Sequence, residues 1–201
     1  MRRLPLLLLL FASAAGAQDR FFFLQADRFE YVADPEHWLW DAQGWYGTDE
    51  NKFWWKTEGE LDSDGTEEAE LQLLYSRAVS AFWDLQFGVR QDIEPTPSVS
   101  YAVIGLQGLA PQWFEIDMAA FIDENGDVSA RLEAEYDLLL TQRLILQPRA
   151  EFDTGPESLG IGLRLRYEIR REIAPYIGVS WQDRKGEDNF VSLVAGARFW
   201  F

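Results

Sequence analysis

One-by-one alternation of apolar and polar residues runs through almost the whole chain after residue 19, and it restricts the fold to extended strands with two unlike faces. In residues 160–170, Ile161, Leu163, Leu165, Tyr167 and Ile169 share one face, while Gly162, Arg164, Arg166, Glu168 and Arg170 share the other. Residues 128–138 repeat the pattern, with Val128, Ala130, Leu132, Ala134, Tyr136 and Leu138 opposing Ser129, Arg131, Glu133, Glu135 and Asp137. Ala69, Leu71, Leu73 and Tyr75 oppose Glu68, Glu70, Gln72 and Leu74; Trp83, Leu85, Phe87 and Val89 oppose Asp84, Gln86, Gly88 and Arg90. The chain ends in the same way, with Val191, Leu193, Ala195, Ala197, Phe199 and Phe201 forming a wholly apolar face.

About twelve such segments can be drawn: 20–32, 37–46, 51–61, 67–77, 82–92, 98–108, 112–122, 127–138, 143–153, 160–170, 174–184 and 189–201. The first, second and sixth are ambiguous in face. Most have the roughly 9–11 residues with which a tilted strand crosses a bilayer, against roughly 5–6 for strands of soluble proteins. The connections alternate in kind. One set is acidic, as in Asp34-Pro35-Glu36, Asp62-Ser63-Asp64-Gly65, Glu94-Pro95-Thr96-Pro97 and Asp123-Glu124-Asn125-Gly126-Asp127. The other is mostly compact and less acidic, as in Ala78-Val79-Ser80-Ala81, Leu109-Ala110-Pro111 and Leu139-Leu140-Thr141-Gln142; Thr48-Asp49-Glu50 breaks the contrast. Successive turns of an up-and-down barrel fall at opposite rims, which produces this alternation. Apolar-face aromatics (Phe53, Trp55, Tyr75, Trp83, Phe114, Tyr136, Tyr167, Phe199 and Phe201) gather toward the second set of turns, as one interfacial girdle. The fold class read from these features is all-β: a transmembrane antiparallel up-and-down β-barrel of about twelve strands.

Residues 1–17 carry Arg2 and Arg3, an apolar run over 4–11 and Ala15-Gly16-Ala17, which reads as a signal peptide cut before Gln18. Residues 18–201 are then one outer-membrane barrel domain. With 34 acidic against 18 basic residues, the chain disfavours nucleic acid and suits cations. There are no cysteines, so neither disulfides nor thiolate chemistry is available. The sole histidine, His37, lies at an acidic connection with no serine standing out as its partner, and no phosphate loop or zinc spacing occurs, so an enzyme is not expected.

Several stretches in order carry a family resemblance: Asp41-Ala42-Gln43-Gly44-Trp45, Trp55-Lys56-Thr57-Glu58-Gly59-Glu60, Leu74-Tyr75-Ser76-Arg77, Phe82-Trp83-Asp84-Leu85-Gln86 and Gly105-Leu106-Gln107-Gly108-Leu109-Ala110-Pro111. Arg131-Leu132-Glu133-Ala134-Glu135-Tyr136-Asp137, Leu163-Arg164-Leu165-Arg166-Tyr167-Glu168 and the closing Arg198-Phe199-Trp200-Phe201 continue the series. Together they resemble the bacterial copper resistance protein B family, an outer-membrane barrel of copper-resistance operons. The aromatic terminal strand is similar to the closing signal of outer-membrane barrels. The resemblance implies location in the outer membrane of a Gram-negative envelope, copper as the ion bound, sequestered or passed, and contact with outer-membrane lipid. It also implies recognition of the last strand by the barrel assembly machinery and work alongside periplasmic copper-handling proteins. Many members carry a Met- and His-rich segment before the barrel; here only Met1, Met118 and His37 occur.

If the apolar faces meet lipid, the opposite faces fill the lumen with charges of both signs. The expected network is Glu58, Glu60, Glu70, Asp84, Arg90, Arg131, Glu133, Glu135, Asp137, Arg149, Glu151, Arg164, Arg166 and Glu168, with Lys52, Lys56, Glu68, Glu115, Asp117, Arg143 and Arg170 on the same faces. One reading is a salt-bridged plug that sets barrel shape; the other is a polar track or weak cation site. The candidate metal ligands are His37, Glu58, Glu60, Glu133, Glu135 and Asp137. A set of carboxylates with one imidazole is a poor copper cage, because copper favours thiolate, thioether and imidazole donors. A non-specific small-cation channel, or a structural barrel without its own copper site, is the alternative function.

Overall fold

The computed structural model describes residues 19–201 apart from Asp64 and Glu187. The signal peptide expected over residues 1–17 lies outside the described residues. The alternating segments form β1 (Phe21–Ala33), β2 (Glu36–Gly47), β3 (Asn51–Leu61), β4 (Thr66–Ala78), β5 (Trp83–Glu94), β6 (Val99–Ala110) and β7 (Phe114–Asp123). They continue as β8 (Val128–Glu135), β9 (Leu138–Leu139), β10 (Leu144–Asp153), β11 (Ser158–Tyr167), β12 (Ile173–Arg184) and β13 (Phe190–Trp200). Each strand pairs antiparallel with its chain neighbour, except that β8 and β9 both pair with β10 and not with each other, and β1 pairs with β13, so the sheet closes on itself. Phe201 and Leu24 exchange both backbone hydrogen bonds at 2.8 and 3.0 Å to finish the closure. A closed sheet has no edge whose backbone groups would go unsatisfied in lipid.

Thirteen segments make twelve staves, because β8 and β9 lie end to end against β10. Pro148 on β10 faces the break; it has no N–H to give, and Tyr136 N–H donates to its carbonyl at 3.2 Å. The expected boundaries hold to within about three residues. The clearest shift is in the 160–170 segment: the strand ends at Tyr167, and the chain turns there. Arg170 and Arg143, expected in the lumen, are therefore exposed in turns at the rim where the termini lie.

Side chains sort as alternation requires. Ile161, Leu163 and Leu165 face outward, as do Val191 and Leu193, whereas Arg164, Arg166 and Ser192 are buried inside. Met118 faces outward with the lipid-facing set. Tyr75, Phe114, Tyr167 and Phe201 are exposed toward the terminal rim, as the girdle requires. A second aromatic group stands at the opposite, distal end: Phe29 and Tyr31 of β1 pack on Trp38 of β2, with ring centroids 5.2 and 5.4 Å apart. Aromatics thus mark both rims, where an amphipathic ring is at home. The lumen also has an apolar side, built from Trp54, Leu74, Val103 and Phe121 on β3, β4, β6 and β7.

The ambiguity of the first strand has a specific cause. Ala26 pairs with Ala42 and Arg28 with Asp41, so one extra residue, Asp27, is bulged out of register against β2. Against β13 the same extra residue shows between Ala26↔Phe199 and Glu30↔Gly196. A bulge lets adjacent residues face the same way, and Asp27 and Arg28 are both buried in the lumen with Gln25, Glu30 and Val32.

Deleting Asp27 should leave a folded barrel, because Gln25, Arg28, Glu30 and Val32 would then alternate inward without a bulge. Deleting Leu163 from the regular strand β11 should abolish folding, because it drives Arg164 and Arg166 to the lipid face at about 2–4 kcal/mol each near the midplane. Heat-modifiable gel mobility after refolding reads both outcomes. A folded band for the Leu163 deletion would contradict the assignment of faces.

Candidate functional site

Closing the barrel brings inward carboxylates of neighbouring strands directly opposite one another. Glu58 pairs with Glu70, Glu133 with Glu151, Glu115 with Glu135 and Asp117 with Glu133. Like charges so placed repel, and basic side chains reaching across the lumen offset this. Arg131 Nη1 and Nη2 lie 3.0 Å from Glu58 and 3.1 Å from Glu70, and its Nε donates to Asp153 at 2.9 Å. Arg149 reaches Glu133 and Glu135 at 2.7 Å each, with Asp27, Glu151 and Asp41 at 3.5, 3.5 and 3.7 Å. Arg28 bonds Glu58 at 2.7 Å and Asp41 at 3.2 Å, and Arg90 bonds Glu70 at 2.9 Å and Asp92 at 2.6 Å. Lys56 pairs with Asp117, Lys52 with Asp84 and Arg166 with Asp137.

Read from Arg90 through Glu70, Arg131, Glu58, Arg28 and Asp41 to Arg149, these pairs form one continuous band across the lumen. Arg198 extends it by a 2.9 Å contact to Asp27. Beside it, Arg164 grips Glu30 through Nε and Nη2 at 2.6 and 2.9 Å, a two-pronged pair that is almost fully buried.

On either side of the band lies a cavity. The terminal cavity, of about 250 Å³, is lined by eight carboxylates against Lys56 and Arg131. The distal cavity, of about 370 Å³, is lined by nine carboxylates against Arg28, Arg90, Arg131 and Arg184. The residues lining both are Glu58, Glu70 and Arg131, which therefore form the septum between them.

The expected charge network is placed as follows. Glu58, Glu70, Arg90, Arg131, Glu133, Glu135, Arg149 and Glu151 join the band, Asp84 pairs with Lys52, and Asp137 pairs with Arg166. Arg164 belongs to the Glu30 pair, Glu60 lines the distal cavity, and Glu168 sits just past the end of β11 at the terminal rim. Not anticipated were Asp27, Arg28, Glu30, Asp41, Asp92, Asp153 and Arg198. Asp153 and Arg198 follow from the parity of Arg149 and Ser192 on their strands. Asp27, Arg28 and Glu30 could not be placed by parity, because the bulge breaks it.

The candidate copper ligands are dispersed rather than converged. His37 is at the distal rim with Nδ1 2.9 Å from the Pro35 carbonyl, Glu60 faces the distal cavity, and Glu58, Glu133 and Glu135 line the terminal one with Arg partners. Among the described residues no group of three or more His, Cys, Asp or Glu is placed to hold a metal ion. This donor set does not fit a tight first coordination shell for copper, whose preferences run to imidazole and sulfur.

Replacing Arg149 by Met should lower stability by about 3–5 kcal/mol, because it leaves buried carboxylates facing one another without their counter-ion. Replacing the half-exposed Arg184, 3.3 Å from Glu68, should cost less than about 1 kcal/mol. Urea unfolding of the two variants in lipid vesicles gives the comparison; equal losses would contradict the role of Arg149.

Comparison with known proteins sets this geometry in context. The chain matches the family described as Copper resistance protein B precursor (CopB) over residues 20–201. It is 46% identical over 191 residues to the copper resistance protein B of Escherichia coli, covering 84% of this chain and 64% of that one. It is 40% identical over 204 residues to a copper resistance protein B homolog of Pseudomonas syringae pv. tomato, covering 89% of this chain and 69% of that one. The chain thus spans about two thirds of the length of these relatives. Among solved structures, the NanC porin overlays with a TM-score of 0.57 at 12% identity, covering 90% of this chain and all of the other. The KdgM porin gives 0.57 at 10% identity, covering 89% and 99%, and Escherichia coli outer membrane phospholipase A gives 0.56 at 12%, covering 90% and 96%. At such identity these likenesses show the fold alone, and the fold they share is that of outer-membrane barrels. The chain belongs to the copper resistance protein B family and is a β-barrel of the outer membrane.

Proposed function

We propose that this barrel acts in copper resistance, as a non-catalytic protein that passes or retains copper ions at the outer membrane. The family name supports the ion. The observation that carries the reading is the pair of carboxylate-rich cavities in series, joined end to end at Glu58, Glu70 and Arg131. Acidic walls within a low-dielectric barrel concentrate cations. Arg131 is the fixed cation where the two cavities meet, so it opposes passage of a further cation between them until its pairs with Glu58 and Glu70 loosen. With both termini in the periplasm, as outer-membrane barrels have them, the distal cavity opens to the outside and the terminal cavity to the periplasm. Outer-membrane lipid, the assembly machinery acting on β13 and periplasmic copper-handling proteins are the partners that this reading entails.

A second reading, a structural barrel without copper traffic, is favoured by the continuous ion-pair band through Arg149. Proteoliposomes holding a trapped Cu(II) indicator separate the two. Copper entry above that of empty vesicles is expected for the native barrel, and about tenfold faster entry for Arg131→Ala, which removes the fixed septum charge (about 1.4 kcal/mol of barrier). Entry no faster than empty vesicles for both proteins, with unchanged copper tolerance on deleting the gene, would leave the structural reading.

A further inference from the structure

Five glutamines stand among the eight carboxylates that line the terminal cavity. Register aligns Gln25 with Gln43, Gln43 with Lys56, and Lys56 with Gln72, so one row of inward side chains runs across β1, β2, β3 and β4. A second row joins Gln86 to Gln107 by a 2.7 Å hydrogen bond, and Gln107 stands opposite Asp117 on β7. The Lys56–Asp117 pair ties the two rows together across the lumen. All of these side chains line the same cavity, and Leu74, Val103 and Phe121 supply an apolar patch between the rows.

An amide offers a carbonyl acceptor and an N–H donor at once, so a double row of them recognises a ligand that presents both. A bare or fully hydrated copper ion presents only positive charge or water. Of the eight carboxylates there, all but Glu115 are already in ion pairs, so inner coordination by more than one of them would leave buried cations such as Arg131, Arg149 or Lys56 without a partner. A small copper chelate formed by amines and carboxylates, such as an amino-acid complex, is different. It is neutral, carries N–H donors and carboxylate acceptors on its rim, and has short aliphatic segments between them. Gln25, Gln72 and Gln86 each already donate one amide N–H, to Asp27, Glu70 and the Gln107 carbonyl. The chelate's N–H groups therefore suit the carbonyls of Gln25, Gln43 and Gln72, its carboxylate oxygens suit the second N–H of each amide and those of Gln43 and Gln107, and its carbons suit Leu74 and Phe121. The cavity of about 250 Å³ exceeds many times the about 30 Å³ that one water occupies in the liquid.

We infer that the terminal cavity receives copper as a small amine–carboxylate chelate that keeps its own ligands, held by outer-sphere hydrogen bonds from the rows of Gln25, Gln43, Gln72, Gln86 and Gln107. This rests on the copper reading above for the metal and specifies its form in the terminal cavity, where a neutral complex is held by hydrogen bonds and not by the attraction of acidic walls for free cations. The protein then needs no imidazole or sulfur of its own in the lumen, because the first coordination shell arrives with the cargo.

The test is equilibrium dialysis of the folded mature barrel against Cu(II) bis-glycinate carrying radiolabelled glycine, with glycine-free Cu(II) and glycine alone in parallel. Copper and both glycinates should be retained together and saturably, and Gln43→Leu and Gln107→Leu should each weaken retention about three- to tenfold with unchanged circular dichroism. Electron paramagnetic resonance of the retained copper should keep the nitrogen hyperfine pattern of the free chelate. Retention of copper without glycine, with a new copper spectrum, would overturn this inference and leave the copper reading standing. Equal retention of glycine alone would overturn the chelate as the ligand. Retention of copper in no form would remove both this inference and binding in the copper reading.

Discussion

Arg149 holds together what the closed sheet would otherwise drive apart. When twelve staves curl into a barrel of this size, inward carboxylates from β1, β2, β8 and β10 arrive within a few ångströms of one another. The guanidinium of Arg149 lies among five of them. Burying a charge is costly unless it is paired, and here Nη1 donates to Glu135 at 2.7 Å while Nη2 lies 2.7 Å from Glu133, so one planar cation offsets carboxylates of several strands from one point. Arg131 does the same for Glu58, Glu70 and Asp153. The lumen is therefore crossed by a band of paired charges held in place by the geometry of the closed sheet.

The bulge at Asp27 is the second structural element on which this arrangement depends. It places two consecutive charged residues, Asp27 and Arg28, on the lumen side at the seam where the chain closes. Asp27 then meets Arg198 of the last strand, Arg28 meets Glu58 two strands away, and Glu30 meets Arg164. Asp27 and Glu30 thus staple the seam from within, across the stretch where the backbone ladder between β1 and β13 is interrupted, while Arg28 ties the bulge to β3. Local irregularity and global closure are the same feature seen at two scales.

Porins and a phospholipase share this barrel, so the architecture does not decide what passes or binds. That decision lies in the lining. Here an acidic distal cavity, a septum of Glu58, Glu70 and Arg131, and a terminal cavity of carboxylates and glutamines adjoin one another within the lumen. None of these supplies soft donors, and this separates binding a copper ion in a cage from handling copper that brings its ligands with it.

Alternation in stretches such as 128–138 and 160–170, together with turns of two kinds, determined by themselves that the chain forms an up-and-down barrel with charges inside. Period two has one geometric meaning, and a strand of that length with a wholly apolar face has one solvent that suits it. The membership of the charge band was legible in part, because parity assigns Glu58, Arg131 and Arg149 to the lumen without knowledge of their partners, whereas Arg28 and Asp41, two links of that band, were not read as lumen residues. The tertiary structure alone decided who meets whom. Arg131 of β8 lies opposite Glu58 and Glu70 of β3 and β4 because the sheet curls, and no spacing along the chain encodes a contact across a lumen. It also decided the faces of β1, since a bulge is invisible to parity, and the division of the lumen into two cavities, which depends on how far long arginines extend in three dimensions. The glutamine rows share that origin. Each glutamine is an unremarkable polar residue in its own strand, and only register brings them into line.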